Sequence, residues 1–130
     1  NAGLGICHAI AHQLGATYNL PHGVCCAMLL PIVEEENAKR VPGKFRNIAK
    51  AFGIDVKGES DEQCAKLAVN RIRELSQIVG IPKKLAELNI QENDFDFERL
   101  AENALKDACT PGNPFMPTKE ETIEMYKKLF

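Results

Sequence analysis

The stretch Val24-Cys25-Cys26-Ala27-Met28-Leu29-Leu30-Pro31-Ile32-Val33 decides the fold of this chain. Ten residues with no charge are too few to cross a bilayer, so the run belongs to a core. Read as the front of a helix from Gly23 to about Lys39, it marks an element buried on most sides, with Pro31 removing one backbone bond and kinking it. Val24 to Leu30 taken alone also fits a buried strand, because periodicity cannot separate the two in a short apolar run. No flanking segment offers an alternating strand with hairpin turn chemistry, so the helical reading prevails and the fold class is all-α.

Working outward, a first helix is expected from about Ala2 to Gly15, stopped by the glycine and carrying His8 and His12 one turn apart on one face. Tyr18-Asn19-Leu20-Pro21 forms a turn. Beyond the central run, Pro42 suits the first turn of a short helix that ends before Gly53 and buries Phe45, Ile48, Ala49 and Phe52. Ser60-Asp61-Glu62-Gln63 is a capping-box pattern opening a helix to about Val79, with Cys64, Leu67, Ala68, Ile72, Leu75 and Val79 on one stripe and Gly80 as its stop. A turn through Leu88 leads to a helix near Asp94 to Asp107 presenting Phe97, Leu100, Ala101, Ala104 and Leu105. Thr118 with Glu121 caps the last helix, whose inward side carries Ile123, Tyr126 and Leu129 or Phe130.

At 130 residues, 45% of them hydrophobic, the chain supports one core and one domain. A net charge of −2 and lysines that come at most in pairs leave no basic stripe for nucleic acid. No charged-then-apolar leader opens the sequence, and a membrane is not an expected partner. Five cysteines, two of them adjacent, suit neither a disulfide framework nor a zinc knuckle; a reducing, cytoplasmic setting is expected. The absence of an initiating Met suggests a fragment of a larger protein. An apolar surface uncovered by a missing partner would favour self-association, so a homo-oligomer is expected.

All three histidines lie in the first 22 residues, as His8-Ala9-Ile10-Ala11-His12 and Pro21-His22-Gly23. His8 and His12 could chelate one metal or stand as two satisfied core histidines. A zincin is excluded, because Ala9 occupies the place of its general-base Glu. His22 changes the balance toward metal. It opens a buried helix, and a helix N-terminus favours neutral imidazole, the form a metal ligand needs. Pro21 restricts the backbone before it, and Gly23 clears space for a ligand. Cys7, Cys25 and Cys26 read as packing residues, and Glu34-Glu35-Glu36 as a solvated helix face.

Gly5-Ile6-Cys7-His8-Ala9-Ile10-Ala11-His12-Gln13-Leu14-Gly15 with Tyr18-Asn19-Leu20-Pro21-His22-Gly23 resembles the signature of the iron-containing (group III) alcohol dehydrogenases. The likeness continues through Leu29-Leu30-Pro31, Gly80-Ile81-Pro82-Lys83-Lys84-Leu85 and Ala104-Leu105-Lys106-Asp107-Ala108-Cys109 to Asn113-Pro114, with propanediol, lactaldehyde and methanol dehydrogenase-like members nearest. Phe115 stands where many relatives have Arg. The resemblance implies the C-terminal helical bundle of a two-domain, dehydroquinate synthase-like enzyme whose dinucleotide-binding domain is absent. It implies that His8 and His22 are metal ligands and that His12 lies beside nicotinamide and substrate where it passes a proton; Cys109 matches a position near the substrate pocket in some relatives, and reads equally as a buried small residue. It further implies iron(II), with zinc as the alternative, and NAD or NADP bound mainly by the absent domain, for exchange of a short-chain alcohol or diol with its aldehyde. The remaining metal ligands, an Asp and a His, have no counterpart among these residues, so the 130 residues alone are expected to be inactive. A non-catalytic helical metal-binding or interaction module and a related polyol dehydrogenase or dehydroquinate synthase-like lyase are the competing readings.

Overall fold

The computed structural model describes residues 3–130, and among them there are helices and turns but no strand. The six α-helices are α1 (Ile6–Tyr18), α2 (His22–Arg40), α3 (Pro42–Ala51), α4 (Asp61–Ile78), α5 (Phe97–Lys106) and α6 (Lys119–Lys127), joined in places by short 3₁₀ turns. The strand alternative for Val24 to Leu30 is thereby removed. The helix α2 runs through Pro31 as a single element.

That helix is the spine of the molecule, packing on α1, α3 and α4. One side of it joins a core with α1, α5 and α6, in which Ile6, Ile10, Leu14, Leu29, Leu100 and Leu129 are wholly buried. Burying such side chains contributes about 1.5–3 kcal/mol each before chain entropy is counted. Phe95 ties the edge of this core together, its ring centroid 5.5 Å from Tyr18, 4.7 Å from Phe97, 5.3 Å from Tyr126 and 5.1 Å from Phe130. A second, smaller core sits between α2, α3 and α4, built on Ala38, Phe45, Ala49, Cys64, Ala65, Ala68 and Val69.

Several boundaries differ from the sequence-based expectation. The first helix does not stop at Gly15; it runs on to Tyr18 and ends at Asn19 in the left-handed region, φ 52°, which Asn tolerates. Ala2, its expected start, lies outside the described residues. Gly15 serves packing instead, since a Cβ there would sit 3.4 Å from the Leu20 carbonyl oxygen. Phe52 is exposed rather than buried, and on α4 the stripe is covered only over its first half: Leu75 is 48% and Val79 62% exposed. The reason is length, because α4 outruns the small core that α2 and α3 provide. Gly80, φ 75°, does end that helix, and Ser60 accepts from the Gln63 backbone N–H to begin it. The fifth helix starts at Phe97, where Asp96 accepts from the Arg99 N–H, and Thr118 with Glu121 forms the complete box before α6. Nor is the acidic run on α2 simply solvated. Lys128 Nζ bridges Glu35 and Glu36 at 3.0 and 2.9 Å, while burial pushes the carboxyl of half-buried Glu34 up.

Candidate metal centre

Two helices and one loop place the site. α1 rises from Gly5 with His8 on its first turn and His12 on its second, both half-buried, while their neighbours Ile6, Ala9, Ile10 and Ala11 hold the helix in the core. After the turn through Asn19 and Pro21, α2 opens on His22, exposed at its N-terminus, with Cys26 one turn further on the same face. The three imidazoles converge: ring centroids are 5.5 Å apart for His8 and His22, 5.5 Å for His12 and His22, and 6.3 Å for His8 and His12.

Within this cluster the donor atoms separate into two groups. His8, His22 and Cys26 each offer an atom within 4.8 Å of the others, and so do His12, Asp107 and Cys109. The first group fits a divalent metal. Imidazole and thiolate suit iron and zinc, the histidine ligands arrive from different elements, and a Cβ on Gly23 would meet nothing within 4 Å. A groove of about 490 Å³ opens beside His8, walled by Leu4, Cys7, Cys26, Leu30 and Asn113. A larger groove of about 590 Å³ between α2 and α4 is lined by none of the three histidines, so size does not mark the chemistry here.

The second group is organised differently. His12 Nδ1 lies 2.9 Å from Asp107 Oδ2, and a carboxylate only accepts, so Nδ1–H donates and the ring's orientation is fixed. Asp107 is itself held, its Oδ1 accepting from the Cys109 backbone N–H at 2.8 Å. That N–H, with His12 adding to it and partial burial opposing, keeps the Asp107 carboxyl below the usual carboxylate range. A carboxyl lowered in the folded state stabilises above its unfolded pKa, and that stability is lost as pH falls through the folded value. Asp107→Asn is therefore expected to cost about 1 kcal/mol at neutral pH, with the gap from the parent closing in acid. Urea midpoints at pH 7 and pH 3 check this; an equal gap at both would disprove it.

Asp107 was not among the residues singled out from sequence, and neither Cys26 nor its distance to His22 was anticipated. Cys26 packs half-buried against the main core, and its Sγ lies 3.4 Å from His22 Nε2. Cys7 and Cys25 are buried as expected, and burial pushes the Cys7 thiol up to about 12. Phe115 stacks under Arg40, whose guanidinium carbon is 4.7 Å from the ring centroid.

Residues 1–130 match the family described as Fe-containing alcohol dehydrogenase family, C-terminal. The chain belongs to that family. It is 44% identical over 126 residues to lactaldehyde reductase of Escherichia coli K12, covering 97% of this chain and 32% of the relative. It is 42% identical over 130 residues to 1,3-propanediol dehydrogenase of Citrobacter freundii, covering all of this chain and 33% of the relative. A crystal structure of 1,3-propanediol oxidoreductase superposes with a TM-score of 0.91 at 40% identity, covering 98% of this chain and 33% of that one. The chain thus spans about a third of the length of the curated relatives it matches. The resemblance read from the histidine motif and the all-α fold both hold. Among the described residues, no helix is long and apolar enough to cross a membrane.

Proposed function

We propose that these residues form the C-terminal helical part of a longer, two-domain oxidoreductase that interconverts a short-chain primary alcohol or diol and its aldehyde, using a nicotinamide cofactor. The observation that carries this reading is the convergence of His8 and His22 from two helices, in a chain of a family whose relatives include a lactaldehyde reductase and a propanediol dehydrogenase. His8 and His22 would hold a divalent metal, iron(II) first and zinc as the alternative. When bound, that ion supplies a Lewis acid for the substrate oxygen.

The chain's own residues do the rest. With Nδ1–H committed to Asp107, the proton exchanged with a substrate hydroxyl would fall to His12 Nε2. Asp107 positions His12 and favours the tautomer that leaves Nε2 free to accept. Leu4 and Leu30 give the groove beside His8 an apolar wall suited to a short carbon chain. Cys109 does not line that groove; grouped with His12 and Asp107, it would border the substrate on the His12 side. NAD or NADP, and the remaining ligands to the metal, would come mainly from residues outside this chain. Five free cysteines agree with a reducing, cytoplasmic setting, and Leu75, Ile78, Val79 and Met116, all exposed, provide apolar surface for the rest of the protein or a second copy.

The test is turnover by the full-length protein. Alcohol-dependent reduction of NAD or NADP should disappear on chelation and return on adding iron(II) or zinc. Activity indifferent to chelation, or dehydrogenase turnover by the 130 residues alone, would overturn the reading.

A further inference from the structure

We propose that the groove between α1 and α2 seats a segment from the part of the protein that precedes Asn1, held there by a lysine or arginine that the segment brings to Glu34. The inference rests on the proposed reading of these residues as the C-terminal part of a longer chain, and it adds how the two parts are joined. The three consecutive glutamates of α2 are not alike. Glu35 is matched by Arg73 and Lys128 at 2.9 and 3.0 Å, and Glu36 by Lys39 and Lys128 at 2.8 and 2.9 Å. Among the described residues Glu34 has no cationic partner and accepts from Asn37 Nδ2 at 3.3 Å. Burial pushes its carboxyl up against that bond, whereas for Glu35 and Glu36 the lysine and arginine bonds outweigh burial and bring the carboxyls down. A half-buried carboxylate without a counter-charge is destabilising, and a cation supplied by the rest of the protein relieves it.

The shape of the groove says where that cation comes from. It holds about 490 Å³ and follows one face of α2 from Gly23 through Cys26 and Leu30 to Glu34, positions three or four apart. Glu34 stands about 18 Å along the helix axis from His22, so a three-carbon diol anchored at the histidines cannot reach it. The far end of the groove is therefore left for protein. Leu4 and Leu30, 48% and 39% exposed, give apolar walls that lead to a single carboxylate, which complements an apolar stretch carrying one base. The backbone itself delivers the occupant. Gly3 and Leu4 are part of the wall, so residues before them arrive at the groove at high effective concentration. A second copy would have to enter the same recess against a segment already tethered at its mouth. This chain matches a family's C-terminal part and spans about a third of its curated relatives, which leaves ample length for such a segment.

Hydrogen exchange of the full-length protein, read by mass spectrometry, is the test. Glu34→Gln keeps the size of the side chain and can still accept from Asn37. In that variant one stretch preceding Asn1, containing a lysine or arginine, should exchange at least about tenfold faster than in the parent. Glu34→Lys should enlarge the effect, and replacing the basic residue of that stretch by Glu in the Glu34→Lys background should restore the parent's protection. Exchange that changes nowhere before Asn1, or a charge reversal that restores nothing, overturns the docked segment. So does protection that falls when the parent is diluted, which marks a second copy in the groove. A rise shared by all of residues 1–130 reports unfolding and counts against a local seat. Turnover is read separately: an active enzyme whose exchange ignores Glu34 loses the docked segment alone, and a released stretch in a protein without dehydrogenase activity keeps the docking and removes the oxidoreductase reading.

Discussion

His22→Ala is expected to strip the metal from the protein and lower alcohol turnover by at least about a thousandfold, with little effect on folding. The two halves of that expectation have separate physical grounds. His22 is exposed at the first position of α2 and lies outside both hydrophobic cores, and alanine is the better helix former. Its loss removes one weak contact to the Cys26 sulfur, so stability should change by no more than about 0.5 kcal/mol. For the metal the change is severe. Losing an outer hydrogen-bond partner of a ligand costs roughly 10–100-fold in affinity, and losing the ligand itself must exceed that. Charge stabilisation at the substrate oxygen is worth several kcal/mol, and each 1.36 kcal/mol is tenfold in rate, which gives the thousandfold loss. His8→Ala should match it in metal content, though half-buried His8 will cost somewhat more in stability. Metal analysis, turnover and thermal melting on the same preparations check all three. Metal retained at parent levels with turnover within tenfold would remove His22 from the proposed site.

The histidines were legible because their chemistry is rare and their spacing short; their partners were not. Asp107 sits 95 positions from His12, where nothing periodic connects them, and at the end of a helix an aspartate reads as an ordinary polar boundary. Cys26 left a signal that the adjacent Cys25 masked, since a histidine and a cysteine four apart at a helix start share a face. In the fold, features governed by local backbone chemistry were readable: Ser60 and Thr118 begin their helices and Gly80 ends one. Where an apolar residue ends up depends on what covers it. The periodicity of α4 places Leu75 and Val79 on the same stripe as Cys64 and Ala68, but only the first half of that stripe has neighbours. Gly15 misled for a related reason, because its smallness serves the close approach of Leu20 rather than a stop.

A second glycine carries the other large effect. Gly112→Ala should lower the melting temperature by roughly 5–10 °C, corresponding to about 1–3 kcal/mol of overpacking. Gly112 closes the short turn from Thr110, and its backbone is not among those with positive φ, unlike Gly53, Gly58 and Gly80. The constraint is space. A Cβ there would run into the carbonyl oxygen of Leu4 and stand 3.1 Å from its carbon, and backbone atoms cannot escape by changing rotamer. Nor can the turn swing away freely. Thr110 Oγ1 donates to the Ala104 carbonyl at 2.6 Å, and Asn113 Nδ2 donates both to Asn37 Oδ1 on α2 and to the Phe115 carbonyl at 2.9 Å. Asn113 also lies against Gly5, where α1 begins, three residues before His8. Relief of the clash must therefore shift either the Asp107–Asn113 loop or the entry to α1, and both reach the histidine cluster. Turnover should fall along with stability, even though Gly112 touches no proposed ligand. Gly23→Ala supplies the contrast, since an added Cβ meets nothing within 4 Å and the residue is helical, so its melting temperature should hold or rise slightly. A Gly112→Ala protein that melts within a degree of the parent would show that the loop yields without cost, and that its packing on the start of α1 does not set the position of His8.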